Sequence, residues 1–146
     1  MQTLTDFFGK YSIDPANDTI DFSGKSRMLD RVSGFIQDTV NYFETENYLF
    51  VHGWIPGKSE NMALFSDEEW EKARWVKWTD KYTGEKPLDA KTVVCGHMPT
   101  FYAKKFDRTR SDNDGGIFWG NGIIAIDAGT HDTGQVNVLV LEDNLI

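Results

Sequence analysis

The stretch YLFVHGWIPG, from Tyr48 to Gly57, begins as an apolar run and ends in a histidine followed by glycine. A second stretch, TVVCGHMPT from Thr92 to Thr100, also ends a β-branched run in a histidine, here preceded by glycine and followed two residues later by proline. Short apolar runs that are bounded by glycine and proline predict buried strands. Ligand and catalytic residues gather where strands end and loops begin. His52 and His97 are therefore candidate site residues.

A neutral imidazole is a common ligand for zinc, iron and manganese. Two neighbouring strands that each deliver one imidazole to the same edge of a sheet would form half of a metal site. The alternative for either histidine alone is a hydrogen-bonded structural role. The near-duplicated context of His52 and His97 favours the shared site.

The remaining histidine and the cysteine are predicted to be unreactive. His131, in AGTHDTG, is expected to be an exposed residue of a hairpin connection. Cys95 lies inside an apolar strand and is expected to be a small buried hydrophobe, because a reactive thiolate needs an open, electropositive setting. The sequence has no G-x-S-x-G, P-loop or GxGxxG motif, and no Ser-His-Asp assignment is compelling.

Composition narrows the class of protein. The 146 residues are 40% hydrophobic and 26% charged, with a formal net charge of −8. A disordered chain is excluded, and binding to a nucleic acid polymer is disfavoured because the chain has no basic footprint. The longest apolar runs are far shorter than the roughly 20 residues that cross a bilayer. The N-terminus has no signal-peptide pattern, and the single cysteine fits a reducing cytoplasm.

Two helices are predicted. Apolar residues recur at three- and four-residue steps from Ser26 to about Glu44, which indicates an amphipathic helix. Ser66 is followed three residues later by Glu69 at the start of SDEEWEKARWVKW, and this spacing is a capping-box signature.

The C-terminal part is predicted to be strand throughout. GIIAIDAG and QVNVLVLED are expected to form two strands, with the glycines of GTHDTGQ closing a hairpin between them. Helices followed by paired strands predict an α/β domain with a mixed sheet and flanking helices.

Five segments in order resemble the second half of the calcineurin-like metallophosphoesterases. These are YLFVHGWIP, ARWVKW, TVVCGHMPT, IIAIDAG and VNVLVLED, and together they span roughly Asn47 to Asp143. The resemblance is strongest to bacterial and phage enzymes of the phosphoprotein phosphatase type and to their diadenosine tetraphosphatase relatives. It implies a four-layer α/β/β/α sandwich, a dinuclear centre of manganese, iron or zinc, and hydrolysis of phosphate esters.

The resemblance also implies roles for individual residues. His52 and His97 match the two histidine ligands of the second metal ion. Arg74 matches, across a loose alignment, the arginine that binds the substrate phosphate. Asp127 and Gly129 match a strand whose role in the family is mainly structural.

The motifs of the family's first half are missing from this sequence. The family carries GDxHG, GDxxDRG and GNHE, which supply the remaining ligands and the acid that protonates the leaving group. The chain contains no Gly-Asp pair, and its only Gly-Asn lies in Gly120–Gly122. We therefore expect a single domain, residues 1–146, that corresponds to the C-terminal portion of such an enzyme. Residues 1–45 would be a variable, cap-like helical segment, and residues 46–146 would hold the sheet and the metal-site histidines.

Three functional readings follow from this. The first is a metallophosphoesterase that is inactive alone and that self-associates or binds a partner supplying the missing half. Its substrate would be a phosphorylated protein, a nucleotide or a small phosphate ester. The second is a non-catalytic remnant or interaction module of the same fold. A structural zinc domain is a poor third, because such sites need four cysteine or histidine ligands.

Overall fold

A computed structural model describes residues 11–14, 16–17, 19–22 and 27–142. The described chain falls into two compact units, which divide between Val40 and Asn41. The first unit contains an antiparallel hairpin of β1 (Tyr11–Asp14) and β2 (Thr19–Phe22), followed by helix α1 (Arg27–Gln37).

The second unit is built on a mixed five-stranded sheet with flanking helices, which confirms the predicted α/β class. Its strands are β3 (Tyr42–Glu44), β4 (Tyr48–Val51), β5 (Thr92–Cys95), β6 (Phe118–Gly120) and β7 (Ile123–Ala125). The spatial order is β3-β4-β5-β7-β6. The three central strands, β4, β5 and β7, are parallel, whereas β3 and β6 pair antiparallel at the two edges. Parallel neighbours end at the same edge of a sheet, so the loops after β4, β5 and β7 start side by side.

Short helical segments fill the connections between the strands. They are α2 (Asp67–Arg74), α3 (Trp78–Lys81), α4 (Thr130–Thr133) and the 3₁₀ turns Met62–Leu64 and Thr100–Lys105. The described residues include no helix that is long and apolar enough to span a membrane.

The core lies on one face of the sheet. Leu49, Val93 and Ile123 are in register across the three parallel strands, and all three are fully buried. Trp78 of α3 is also fully buried, and its ring stacks on Phe118 of β6 at a centroid distance of 5.4 Å. The helical crossover from β4 to β5 therefore covers this face of the sheet.

The predicted capping box is confirmed at the start of α2. The Ser66 hydroxyl accepts a hydrogen bond from the Glu69 N–H, and the Glu69 carboxylate accepts one from the Ser66 N–H at 2.8 Å. Such caps stabilise a helix by about 0.5–2 kcal/mol.

The predicted helix from Ser26 to about Glu44 is wrong at its C-terminal end. Helix α1 ends at Gln37, and residues 42–44 form edge strand β3. Thr39 caps the end of the helix, because its N–H and its hydroxyl both donate to the Ile36 carbonyl. The aromatic residues beyond it pair with β4, and this long-range pairing outweighs the helical spacing. Ser26 itself lies outside the described residues.

The predicted terminal strand QVNVLVLED is also wrong over the part that the structure describes, which ends at Glu142. Val136, Val138 and Val140 are 72–84% exposed, and the described sheet has no strand beside them. Alternating valines satisfy the period of a strand, but a strand also needs a partner for its backbone groups. The predicted hairpin connection is therefore wrong as well, and its residues form α4.

Strand β6 was not predicted. Its sequence, FWG, is three residues long and follows a charged loop, so it carries too short a pattern to be recognised.

Candidate metal centre

His52 and His97 lie side by side at the carboxyl end of the central strands. Phe50 of β4 pairs with Val94 of β5; His52 directly follows β4, and His97 is the second residue after β5. The Gly96 N–H donates to the His52 carbonyl at 2.9 Å, which ties the two turns together. The imidazole centroids are 5.0 Å apart, with an angle of 51° between the ring planes.

This separation suits two imidazoles that share one ion. A Zn–N bond of about 2.0–2.1 Å and about 1.1 Å from nitrogen to centroid give, at a tetrahedral angle, centroids about 5 Å apart. The observed 5.0 Å matches that value. The distance between the rings therefore allows both imidazoles to be ligands of one divalent ion.

The backbone at His97 is strained. Its φ is +64°, and it is the one non-glycine residue with positive φ in the part of the chain described here. Histidine is among the residues more often found in this left-handed region, and such strain collects at functional sites. The flanking chain holds the conformation: Trp78 Nε1 donates to the Met98 carbonyl at 2.8 Å, and the Thr100 N–H donates to the Asp127 carbonyl at 2.7 Å.

The turn after His52 is held by close packing instead. A Cβ atom at Gly53 would lie 2.3 Å from the Arg74 carbonyl oxygen and 2.8 Å from that of Val76. The next residue, Trp54, donates its N–H to the Ala73 carbonyl at 3.1 Å. Only glycine allows the turn to lie against the end of α2, and this contact sets the position of His52 relative to Arg74 and Trp75.

Arg74 and Trp75 border the histidine pair. Arg74 is exposed, and its Nη2 donates to the Asn41 side-chain oxygen at 2.8 Å. Trp75 stands nearly perpendicular to both imidazoles, with its ring centroid 5.6 Å from that of His97 and 6.4 Å from that of His52. It is 65% exposed, so one side of the indole is open to a ligand.

Trp75 is the site residue that the sequence reasoning missed. The signal was the ARWVKW segment, where Trp75 directly follows Arg74. Trp70, the other tryptophan of this helix, is buried in the core. Trp75 instead caps the end of the helix, outside its regular periodicity.

The electrostatic surroundings favour the neutral form of the His52 ring. Desolvation by the surrounding protein, the neighbouring His97 and the Arg74 guanidinium together lower the pKa of His52 below its ordinary value of 6.5, and Asp127 opposes them. A metal ligand must be unprotonated, so this environment favours binding of a cation by His52 at neutral pH.

A complete donor set is absent from the described residues, which contain no group of three or more His, Cys, Asp or Glu able to hold a metal ion. Asp127 is half-buried near the turn of Gly96, but its Oδ1 accepts the Gly129 N–H at 2.8 Å. Asp132 Oδ1 lies 3.3 Å from Nδ1 of His131, whose side chain is 99% exposed. The described residues thus contribute two adjacent imidazoles.

Cys95 takes no part in this site. Its side chain is buried in the sheet, and burial raises the pKa of its thiol well above the ordinary value. The thiol stays protonated and behaves as a small hydrophobe, as its apolar surroundings predict.

No protein-family model matches the chain, and searches of curated proteins and of solved structures find no significant match.

Proposed function

We propose that this chain is the histidine-bearing half of a metal-dependent phosphoesterase, a hydrolase of the serine/threonine protein phosphatase type. One observation carries the proposal: two imidazoles, 5.0 Å apart, extend from the ends of two parallel strands. The resemblance of the ordered segments to the calcineurin-like metallophosphoesterases supplies the reaction class.

A dinuclear centre would supply an activated water molecule and stabilisation of charge on the phosphoryl oxygens. His52 and His97 would hold one ion of manganese, iron or zinc. Arg74 stands beside them with an exposed guanidinium and would bind the phosphate of the substrate, since a guanidinium donates two parallel hydrogen bonds to an oxyanion. Trp75 would shield the imidazoles from water.

The chain alone is expected to be inactive. A pair of ions needs a bridging carboxylate, and the described part of the chain offers two imidazoles without one. The missing ligands would come from a partner that carries the other half, because a second copy of this chain lacks the same motifs. The substrate would be a phosphorylated protein, a nucleotide or a small phosphate ester.

Exposed apolar side chains on the second face of the sheet support the proposal that the chain binds a partner. Phe43, Phe50, Val94, Ile124 and Trp119 form one register row across all five strands. The two central members, Val94 and Ile124, are buried, whereas Phe43 and Trp119 at the edges are 50% and 60% exposed. Exposed apolar side chains at both edges leave area that a partner can bury.

A non-catalytic role is the alternative, as a remnant or interaction module with the same fold. The incomplete donor set and the exposed valines of the C-terminal segment favour it. Both roles suit the reducing cytoplasm, because the one cysteine is unpaired and buried.

Isothermal titration of the purified chain with Zn²⁺ and Mn²⁺ separates the two roles. If the chain is half of a metallophosphoesterase, we expect one Zn²⁺ to bind per chain. Binding should be lost in His52→Ala and in His97→Ala and retained in the matched control His131→Ala. It also predicts no hydrolysis of p-nitrophenyl phosphate by the chain alone with either metal. Equal affinity in all four proteins, or no binding by the unaltered chain, would leave only the non-catalytic role.

A further inference from the structure

A separate cavity of about 220 Å³ lies between the loop after β4 and the segment after α3. Residues from Trp54 to Lys58 form one wall, and residues from Lys81 to Pro87 form the other. The histidine pair, Arg74 and Trp75 do not line it. The cavity is therefore distinct from the candidate metal centre.

The inner walls are apolar and fixed in place. Trp54, Ile55 and Tyr82 line the cavity and are each less than 9% exposed. The Tyr82 hydroxyl accepts the Asn121 N–H at 2.7 Å, which holds the ring against its wall. A rigid apolar wall with aromatic rings suits a flat, apolar group.

The rim of the cavity is cationic in a chain whose net charge is −8. Lys58, Lys81 and Lys86 line it, and Glu85 is the one carboxylate among its lining residues. No salt bridge joins these lysines to a carboxylate in the described parts of the chain, where the four lysine and arginine ion pairs lie at other side chains. The Lys86 ammonium donates a hydrogen bond to the Asp89 carbonyl oxygen at 3.3 Å. Three lysines against one carboxylate give the lining a net positive charge, which attracts an anion.

We propose that this cavity binds a small organic anion: one ring against Trp54 and Tyr82, with a phosphate or carboxylate head group at the lysines. The volume decides the size of the ligand. Pockets for drug-sized ligands measure about 300–1,000 Å³, so a cavity of about 220 Å³ suits a single ring with its head group.

Nuclear magnetic resonance of the metal-free chain tests the proposal through the indole N–H signals. Phenyl phosphate and benzoate are the probes, with benzyl alcohol as the neutral analogue and inorganic phosphate as the head group alone. Trp54→Phe and Trp75→Phe assign the two indole signals that matter. Saturable shifts at Trp54, with Trp75 unaffected, are expected for at least one of the two ring-bearing anions.

Substitution of the rim lysines then tests the role of charge. Lys81→Gln should weaken binding about two- to fivefold, as expected for an exposed ion pair, and a Lys58→Gln, Lys81→Gln double variant should weaken it further. Lys77→Gln, at an exposed lysine outside the cavity, is the matched control and should bind as the unaltered chain does. The stronger of phenyl phosphate and benzoate identifies the head group.

The proposal is overturned if benzyl alcohol binds as tightly as the anions, or if inorganic phosphate alone does. It is also overturned if the shifts fall on Trp75 instead of Trp54, or if none of the probes binds. These outcomes leave the proposed function untouched, because the histidine pair plays no part in the test.

Discussion

The turn after β4 and the turn after β5 each bring an imidazole to the same place, but the structure holds them by different means. At His52 the backbone φ is ordinary, and the turn depends on Gly53, which has no space for a side chain beside the end of α2. At His97 the backbone itself is strained, whereas the neighbouring Gly96 has ordinary space around it. Similar sequence patterns can therefore place similar side chains while depending on different residues.

The largest loss of stability is expected for Gly53→Ala, with Gly96→Ala as its comparison. Gly53→Ala places a Cβ 2.3 Å from a backbone carbonyl oxygen, so the turn must move; we expect it to lose about 3 kcal/mol of unfolding free energy, the upper range for overpacking. In Gly96→Ala the nearest atom is 3.6 Å away, and the loss should stay under about 1 kcal/mol. Urea denaturation of both variants measures the difference. Equal losses would contradict the contrast between the turns.

A smaller effect is expected from glycine at the two histidines. Glycine adopts a φ of +64° without strain, so His97→Gly should be more stable than His97→Ala by roughly 1 kcal/mol. At position 52, where φ is not positive, the order should reverse by about 0.4–1 kcal/mol, because glycine adds freedom to the unfolded chain. Thermal or urea unfolding of the four variants tests the reversal. If alanine is more stable than glycine at position 97 as well as at position 52, the left-handed backbone at His97 carries no strain.

The smallest effect is a pH dependence at His52. Its pKa is lowered in the folded chain, so the unfolded chain takes up the proton first as the pH falls through about 6.5. The stability that the neutral ring contributes is thus present above that pH and declines below it. Titration of the His52 ring signal should give a midpoint below 6.5. His97→Ala and Arg74→Gln should each raise it part of the way, since desolvation, the largest cause, remains.

A remote arginine provides the control for this titration. Arg108→Gln removes an exposed guanidinium that is not among the causes of the shift, so it should leave the His52 midpoint unchanged. A midpoint at or above 6.5 in the unaltered chain would contradict the described surroundings of the ring.

Local signals explain which elements could be predicted from the sequence. β4, β5 and the capping box at Ser66 are each defined by a few adjacent residues, and the structure contains all three. Whether residues 42–44 and the segment after Gln135 form strands depends on pairing with distant parts of the chain. Residues 42–44 pair with β4, whereas the segment after Gln135 has no partner strand in the described sheet. Pairing of this kind leaves no local pattern, so spacing alone gave the wrong element in both places.

The candidate site was predictable to the same extent. His52 and His97 could be paired from the sequence because each ends an apolar run beside a glycine, and the structure shows that their rings are adjacent. The contribution of Trp75 could not be, because it depends on where α2 ends relative to both turns. The strain at His97 is likewise a property of the folded backbone.

The most direct test of the histidine pair is X-ray absorption at the zinc edge on the chain loaded with one equivalent of Zn²⁺. We predict two imidazole nitrogens at about 2.0–2.1 Å, the usual zinc–nitrogen distance, with the remaining positions taken by oxygen. His131→Ala should give the same two-imidazole spectrum, whereas His52→Ala and His97→Ala, which are expected to lose zinc binding, should give no zinc–imidazole scattering. A spectrum with fewer than two imidazoles in the unaltered chain would contradict the shared site.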